Sequence, residues 1–137
     1  MDRLTPEKRS WLMRQVKGRD TTPELMVRRI AFNLGFRYRL NDSKLPGKPD
    51  LVFARLQKII FVHGCFWHGH NGCRYGKLPK SKIDFWKKKI TVNQKRDRKV
   101  LRQLKTMKWT TLVVWQCELK QPKKLVRKIH DFLKKSQ

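Results

Sequence analysis

Asp50-Leu51-Val52-Phe53-Ala54-Arg55-Leu56-Gln57-Lys58-Ile59-Ile60-Phe61-Val62-His63 contains two β-branched or apolar runs, 50–53 and 59–63, separated by a polar bend. Runs of this length and composition predict two buried strands. Thr110-Thr111-Leu112-Val113-Val114-Trp115 predicts a third. Helical signals lie on both sides. Thr5-Pro6-Glu7 combines an N-cap, a proline suited to the first helical position and a first-turn acid, and Trp11, Leu12 and Val16 give that helix an apolar side. Thr22-Pro23-Glu24 repeats the signal, with Met26, Ile30 and Leu34 as a stripe and Gly35 as the stop. Helical segments return over the very basic stretch Ser81 to Lys105, and after Pro122, where Leu125, Ile129, Phe132 and Leu133 mark an amphipathic C-terminal helix. The resulting order is α, α, β, β, α, α, β, α: an α/β fold with a small mixed central sheet flanked by helices. No repeat, linker or composition break divides residues 1–137, and the length suits one domain.

Charge narrows the function. Thirty-five Lys and Arg against ten Asp and Glu give a formal charge of +25, spread along the whole chain. A polyanion is the expected partner. The sequence has no apolar run long enough to span a bilayer and no lipidation signal, and Met1 to Ser10 lacks the apolar core of a signal peptide, so a cytoplasmic protein is expected. Three cysteines in such a compartment suit metal binding or packing better than disulfides.

Phe61-Val62-His63-Gly64-Cys65-Phe66-Trp67-His68-Gly69-His70-Asn71-Gly72-Cys73 holds three of the four histidines and two of the three cysteines. With Cys117 after the last strand, these residues can form a tetrahedral Cys3His site. Four protein ligands leave no open position, which points to structural Zn2+. Spacing alone admits either His68 or His70 as the fourth ligand.

Carboxylates are scarce here, so an Asp at the start of a strand stands out. In Leu45-Pro46-Gly47-Lys48-Pro49-Asp50 a proline-rich turn delivers Asp50 to a rigid position suited to a hard cation such as Mg2+. Taken alone, Pro-Asp is an ordinary turn and Glu24 an ordinary first-turn acid. His63 and His68 exchange protons near neutral pH, and beside a metal loop in a polyanion-binding chain they favour phosphodiester hydrolysis. Phe66, Trp67 and Trp86 are large aromatics among basic residues, able to wedge between base steps, where unstacking costs least at a mismatch. Trp86 equally suits packing beside Ile83 and Ile90. Lys89 and Asn93 are one helical turn apart and can present donors to a groove.

Together Thr22-Pro23-Glu24, Leu45 to Asp50, Phe61 to His70, Phe85-Trp86 with Lys89, Asn93, Arg96-Asp97 and Trp115-Gln116-Cys117 resemble the very short patch repair (Vsr) endonuclease family over almost the entire chain. The resemblance implies a restriction-endonuclease-like fold and an enzyme that nicks double-stranded DNA 5′ to the mismatched thymine of a T:G pair. It implies catalytic Mg2+ held by Asp50 and the Val62 carbonyl, His68 oriented by Glu24 to activate water, and His63 at the scissile phosphate. It also implies zinc held by Cys65, His70, Cys73 and Cys117, and Phe66, Trp67, Trp86, Lys89 and Asn93 as DNA-binding residues. A companion cytosine methyltransferase and repair proteins would accompany a monomer, since the mismatch is asymmetric. Val62, Gln116, Leu12 and Lys108 depart from the family's usual Thr, Glu, Asn and Gly. A restriction-type nuclease of the same fold and a zinc-stabilised DNA-binding module without catalysis are the competing readings.

Overall fold

The computed structural model describes residues 22–135. The helix expected from Thr5, with Trp11, Leu12 and Val16, lies outside them. Among the described residues the order is α1 (Thr22–Asn33), β1 (Arg39–Leu40), β2 (Leu51–Phe53), β3 (Lys58–His63), α2 (Ile83–Thr106), β4 (Thr110–Trp115) and α3 (Pro122–Lys134). The sheet is mixed and runs β1-β2-β3-β4. β1 and β2, and β2 and β3, pair antiparallel, whereas β3 and β4 pair parallel from Lys58↔Thr110 to His63↔Trp115. A parallel pair needs a crossover. Here α2 supplies it.

The three expected strands form, and the alternation of their side chains explains the helices around them. Leu51, Phe53, Ile60 and Val114 face one side, where they pack with Val27 and Ala31 of α1 and Leu125, Ile129 and Leu133 of α3. Val52, Ile59 and Phe61 face the other, against Leu104 of α2. Both faces are covered, so the strands read as continuous apolar runs rather than as alternating ones.

Three expectations need correction. One 24-residue helix, α2, stands where two were expected between the second and third strands; its apolar positions are sparse because most of its surface is solvated. In α1 the buried residues are Glu24, Val27, Arg28 and Ala31, while Met26 is exposed. At about 100° per residue, Met26 falls on the flank of the face centred on Val27 and Ala31, and Ile30 and Leu34 reach only its edge. Lys58, read as part of the polar bend between the first two strands, is buried at the start of β3. Its Nζ donates to the carbonyls of Phe132 (2.5 Å), Leu133 (3.3 Å) and Lys135, at the end of α3. Those carbonyls lack partners within the helix, and a cation there complements the helix dipole. The Gly35 stop behaves as expected. Its φ is +95°, and the Phe36 amide reaches back to the Ala31 carbonyl (3.1 Å) while Gly35 donates to Phe32 (3.0 Å).

Candidate active site and metal centre

The site lies past the C-terminal ends of the parallel strands β3 and β4, next to the N-terminal end of β2. The carboxyl ends of parallel strands are the usual place for ligands in α/β sheets. Pairing of His63 with Trp115 sets the loop after β3 beside the turn after β4. A cavity of about 1040 Å³ opens there, lined by Glu24, Asp50, Val62, His63, His68 and Asp97, among others.

Asp50 is buried, and its Oδ2 accepts the Val62 amide at 2.7 Å. The N–H and C=O of a strand residue point the same way. The Val62 carbonyl therefore also faces the Asp50 side, beyond the end of β2. Burial raises the Asp50 carboxyl to about 7; the charge of Glu24 and a hydrogen bond with it push the same way, while the Val62 amide and Arg28 pull it down. Glu24 in turn lies 3.5 Å from Arg28. Two carboxyls in a buried corner next to a backbone carbonyl are a hard-oxygen donor set. A divalent cation there would favour the ionised form of Asp50. The fit to Mg2+ is good on that ground.

Beside this corner His63 and His68 stack face to face, 3.9 Å between centroids and 7° between planes. Burial, reinforced by His68 and opposed by Asp97, lowers the His63 pKa to about 4, so its ring is neutral at physiological pH. The His68 Nδ1 lies 2.6 Å from Asp97 Oδ2. Asp97 of α2 holds the ring at Nδ1, and Glu24, expected to orient His68, stands with Asp50. In the sequence Asp97 stands out only within the Arg96-Asp97 pair. The scarcity argument that singled out Asp50 applies to it equally, since it sits between Arg96 and Arg98 in a strongly basic helix.

The turn from Gly64 to His70 brings the thiolate cluster together. The His68 amide donates to the Gly64 carbonyl (3.1 Å), Gly69 to Phe66 (3.2 Å) and His70 to Cys65 (2.9 Å). This is a single helical turn closed in the same way as the end of α1. Gly69 has φ +60°, and a Cβ there would lie 2.6 Å from Ile90 Cγ2. The closing bond pairs Cys65 with His70, five residues on. Cys65, His70, Cys73 and Cys117 then offer ligand atoms all within 4.8 Å of one another. Geometry thus separates the two histidines that spacing could not, since His68 falls into a different group with His63 and Asp97. Cys117 Sγ and His70 Nδ1 are 3.5 Å apart. Ligands of a tetrahedral zinc site at about 2.3 Å for sulfur and 2.0–2.1 Å for nitrogen stand about 3.6 Å apart, so the cluster fits Zn2+. Burial and the neighbouring thiols push Cys117 up to about 12, and burial raises Cys65 as well; a coordinated cation reverses this and holds them as thiolates. The His70 ring stacks on Trp115 at 4.1 Å, which fixes its plane.

On the far side of the loop Phe66, Trp67 and Trp86 form a three-ring cluster, with centroids 5.1 to 5.8 Å apart in edge-to-face arrangements. Phe85 packs on Trp86 and is 56% exposed. This aromatic group joins the loop after β3 to the first turn of the basic helix α2.

A sequence profile described as DNA mismatch endonuclease Vsr matches residues 1–74. The chain belongs to the Vsr family. Its relatives include the "Type II nicking enzyme V.XorIIP" of Xanthomonas oryzae pv. oryzae, 51% identical over 86% of each chain. The "Type II nicking enzyme V.NmeAIP" of Neisseria meningitidis is 44% identical over 95% of this chain and 97% of its own. The "DNA mismatch endonuclease Vsr" of Escherichia coli K12 is 39% identical over 85% of this chain and 74% of its own.

Within this Vsr-family site Lys89 and Asn93 lie on α2 as expected, but their polar ends are engaged. Lys89 Nζ is 6.0 Å from the centre of the Trp67 ring. Asn93 Nδ2 donates to the Trp67 carbonyl (2.9 Å), and its Oδ1 accepts from Arg96 (2.7 Å). Arg28 and Arg96, both at the site, were not assigned roles from sequence. No described helix is long and apolar enough to cross a membrane.

Proposed function

We propose that this chain is a strand-specific DNA mismatch endonuclease of restriction-endonuclease-like fold. It nicks 5′ to the mismatched thymine of a T:G pair by Mg2+-dependent phosphodiester hydrolysis, and so starts very short patch repair of deaminated 5-methylcytosine. The observation that carries this reading is the shared cavity. One wall is the Asp50, Glu24 and Val62 oxygen corner and the other the His63, His68 and Asp97 group, and the loop that carries His68 also carries Phe66 and Trp67 of the aromatic cluster. Family membership and a charge of +25 supply the DNA.

His68 is the general base for water. Its Nδ1 is engaged by Asp97, which leaves Nε2 to accept a proton from the attacking water, and the Asp97 carboxylate stabilises the imidazolium that results. His63, neutral and stacked on His68, offers an N–H to a phosphate oxygen without adding a second cation beside the base. Asp50 and the Val62 carbonyl would hold Mg2+, with Glu24 next to them; the ion supplies charge neutralisation at the phosphate and the departing 3′ oxygen. Zinc bound by the cysteine cluster would cross-link the loop after β3 to the turn after β4. Phe66, Trp67 and Trp86 enter the duplex where a mismatch lowers the cost of unstacking.

The test compares nicking of otherwise identical duplexes carrying T:G or T:A, with and without Mg2+. Cleavage of only the thymine strand of the T:G duplex, and only with Mg2+, is expected. Equal cleavage of both duplexes would favour a restriction-type nuclease, the reading nearest to the relatives named as type II nicking enzymes. Binding with no cleavage would favour the non-catalytic zinc module.

A further inference from the structure

Three side chains in little more than one turn of α2 hold three consecutive residues of the loop. Asn93 Nδ2 donates to the Trp67 carbonyl and Gln94 Nε2 to the Gly69 carbonyl, each at 2.9 Å, while Asp97 takes the ring of His68 between them. His68 is gripped through the backbone on both sides and at its ring. The backbone at Gly69 runs close against α2, since a Cβ there would lie 2.3 Å from Gln94 Nε2. Four glycines, Gly64, Gly69, Gly72 and Gly76, otherwise give this loop wide backbone freedom.

We propose that Gln94 is a positioning residue for catalysis: by holding the Gly69 carbonyl against α2 it keeps His68 in line with the attacking water. The proposal rests on the reading of His68 as the general base. Asn93 cannot do this alone, because its amide is shared with Arg96 and lies on the side of the helix that carries Lys89. Asp97 fixes how the ring turns but not how far the backbone stands from the sheet. Zinc at the cysteine cluster would hold Cys65 and His70 at the two ends of the turn but touch none of residues 66–69 between them. The Gln94 bond ties that stretch to α2.

The experiment uses the zinc-loaded full chain and a T:G duplex with Mg2+, and measures single-turnover nicking at saturating protein. Gln94→Met removes the donor at nearly constant volume; Gln94→Lys returns an N–H donor. One lost hydrogen bond that loosens a reacting group predicts nicking slower by about tenfold for Gln94→Met, with duplex affinity changed less than about twofold and full zinc content. Gln94→Lys should recover most of the rate. Wild-type nicking by Gln94→Met overturns the proposal. So does a slow Gln94→Met protein that has lost zinc in proportion to its rate, which would make Gln94 a loop-folding residue only. His68→Ala is measured alongside. If it nicks at the wild-type rate, the general-base reading fails; if it is inactive while Gln94→Met is fully active, only the Gln94 assignment fails.

Discussion

The cysteine corner and the acidic corner lie side by side past the ends of β3 and β4, yet they are assembled on different plans. Cys65, His70 and Cys73 come from one loop and Cys117 from the adjoining turn, so a single strand pairing and a single helical turn complete the cluster. The acidic corner draws Glu24 from α1, Asp50 from the start of β2 and Val62 from β3. There burial, with the charge of Glu24, raises the Asp50 carboxyl to about 7. A cation in the first corner would stabilise it and brace the fold. The second costs stability in the absence of a cation, as expected of a site kept for chemistry.

The largest effect that would break this contrast is loss of the zinc corner. Cys117→Ser should reduce metal content and destabilise the loop and the turn after β4, since structural zinc in small modules is worth on the order of 10 kcal/mol. Circular dichroism and metal analysis check this; an unchanged melting temperature with no bound metal would mean the cysteines merely pack. A smaller effect tests how α2 is anchored. Leu104 is fully buried in the face of the sheet opposite α1 and α3, and Leu104→Ala should cost about 2–5 kcal/mol in denaturant unfolding. Because α2 carries Asp97 and the loop clamp, nicking at saturating protein should fall as well.

The smallest expected effect concerns Asp50 itself. Its carboxyl is raised in the folded protein above its unfolded value, so its contribution to stability is fully present below the unfolded pKa and is lost as pH rises through about 7. Asp50→Asn escapes that loss. In magnesium-free buffer without a chelator, the variant should melt close to the wild type near pH 4 and progressively above it as pH rises to about 7, with no further change beyond. A constant difference across that range would mean the corner is not strained. Function moves the opposite way, since the variant gives up a cation ligand.

Much of this was legible in the sequence. The three main strands were, because both faces of the sheet are covered and its residues form unbroken apolar runs. β1 was not: Arg39 and Leu40 are both exposed, and a two-residue edge strand has no period to read. The Cys3His cluster was legible because soft ligands are rare and close in sequence, but choosing His70 over His68 required the turn that brings residue 70 back to Cys65. The aromatic wedge residues do cluster, though nothing in their spacing foretold that Trp86, twenty residues away, would meet Phe66 and Trp67. Partnerships across the fold were the least legible. Asp97 with His68 and Lys58 with the end of α3 join residues far apart in sequence, and in a chain so rich in lysine a single buried one carries no local mark.

The measurement that tests the account most directly takes Asp50→Ala and the wild type to the same T:G duplex, with binding and single-turnover nicking recorded in parallel in Mg2+. Metal stabilisation of a developing charge is worth several kcal/mol, so nicking should fall by about a thousandfold or more while binding, which depends on the basic surface and the aromatic cluster, persists. Nicking of the thymine strand by Asp50→Ala at the wild-type rate would contradict the assignment of the acidic corner as the reactive one.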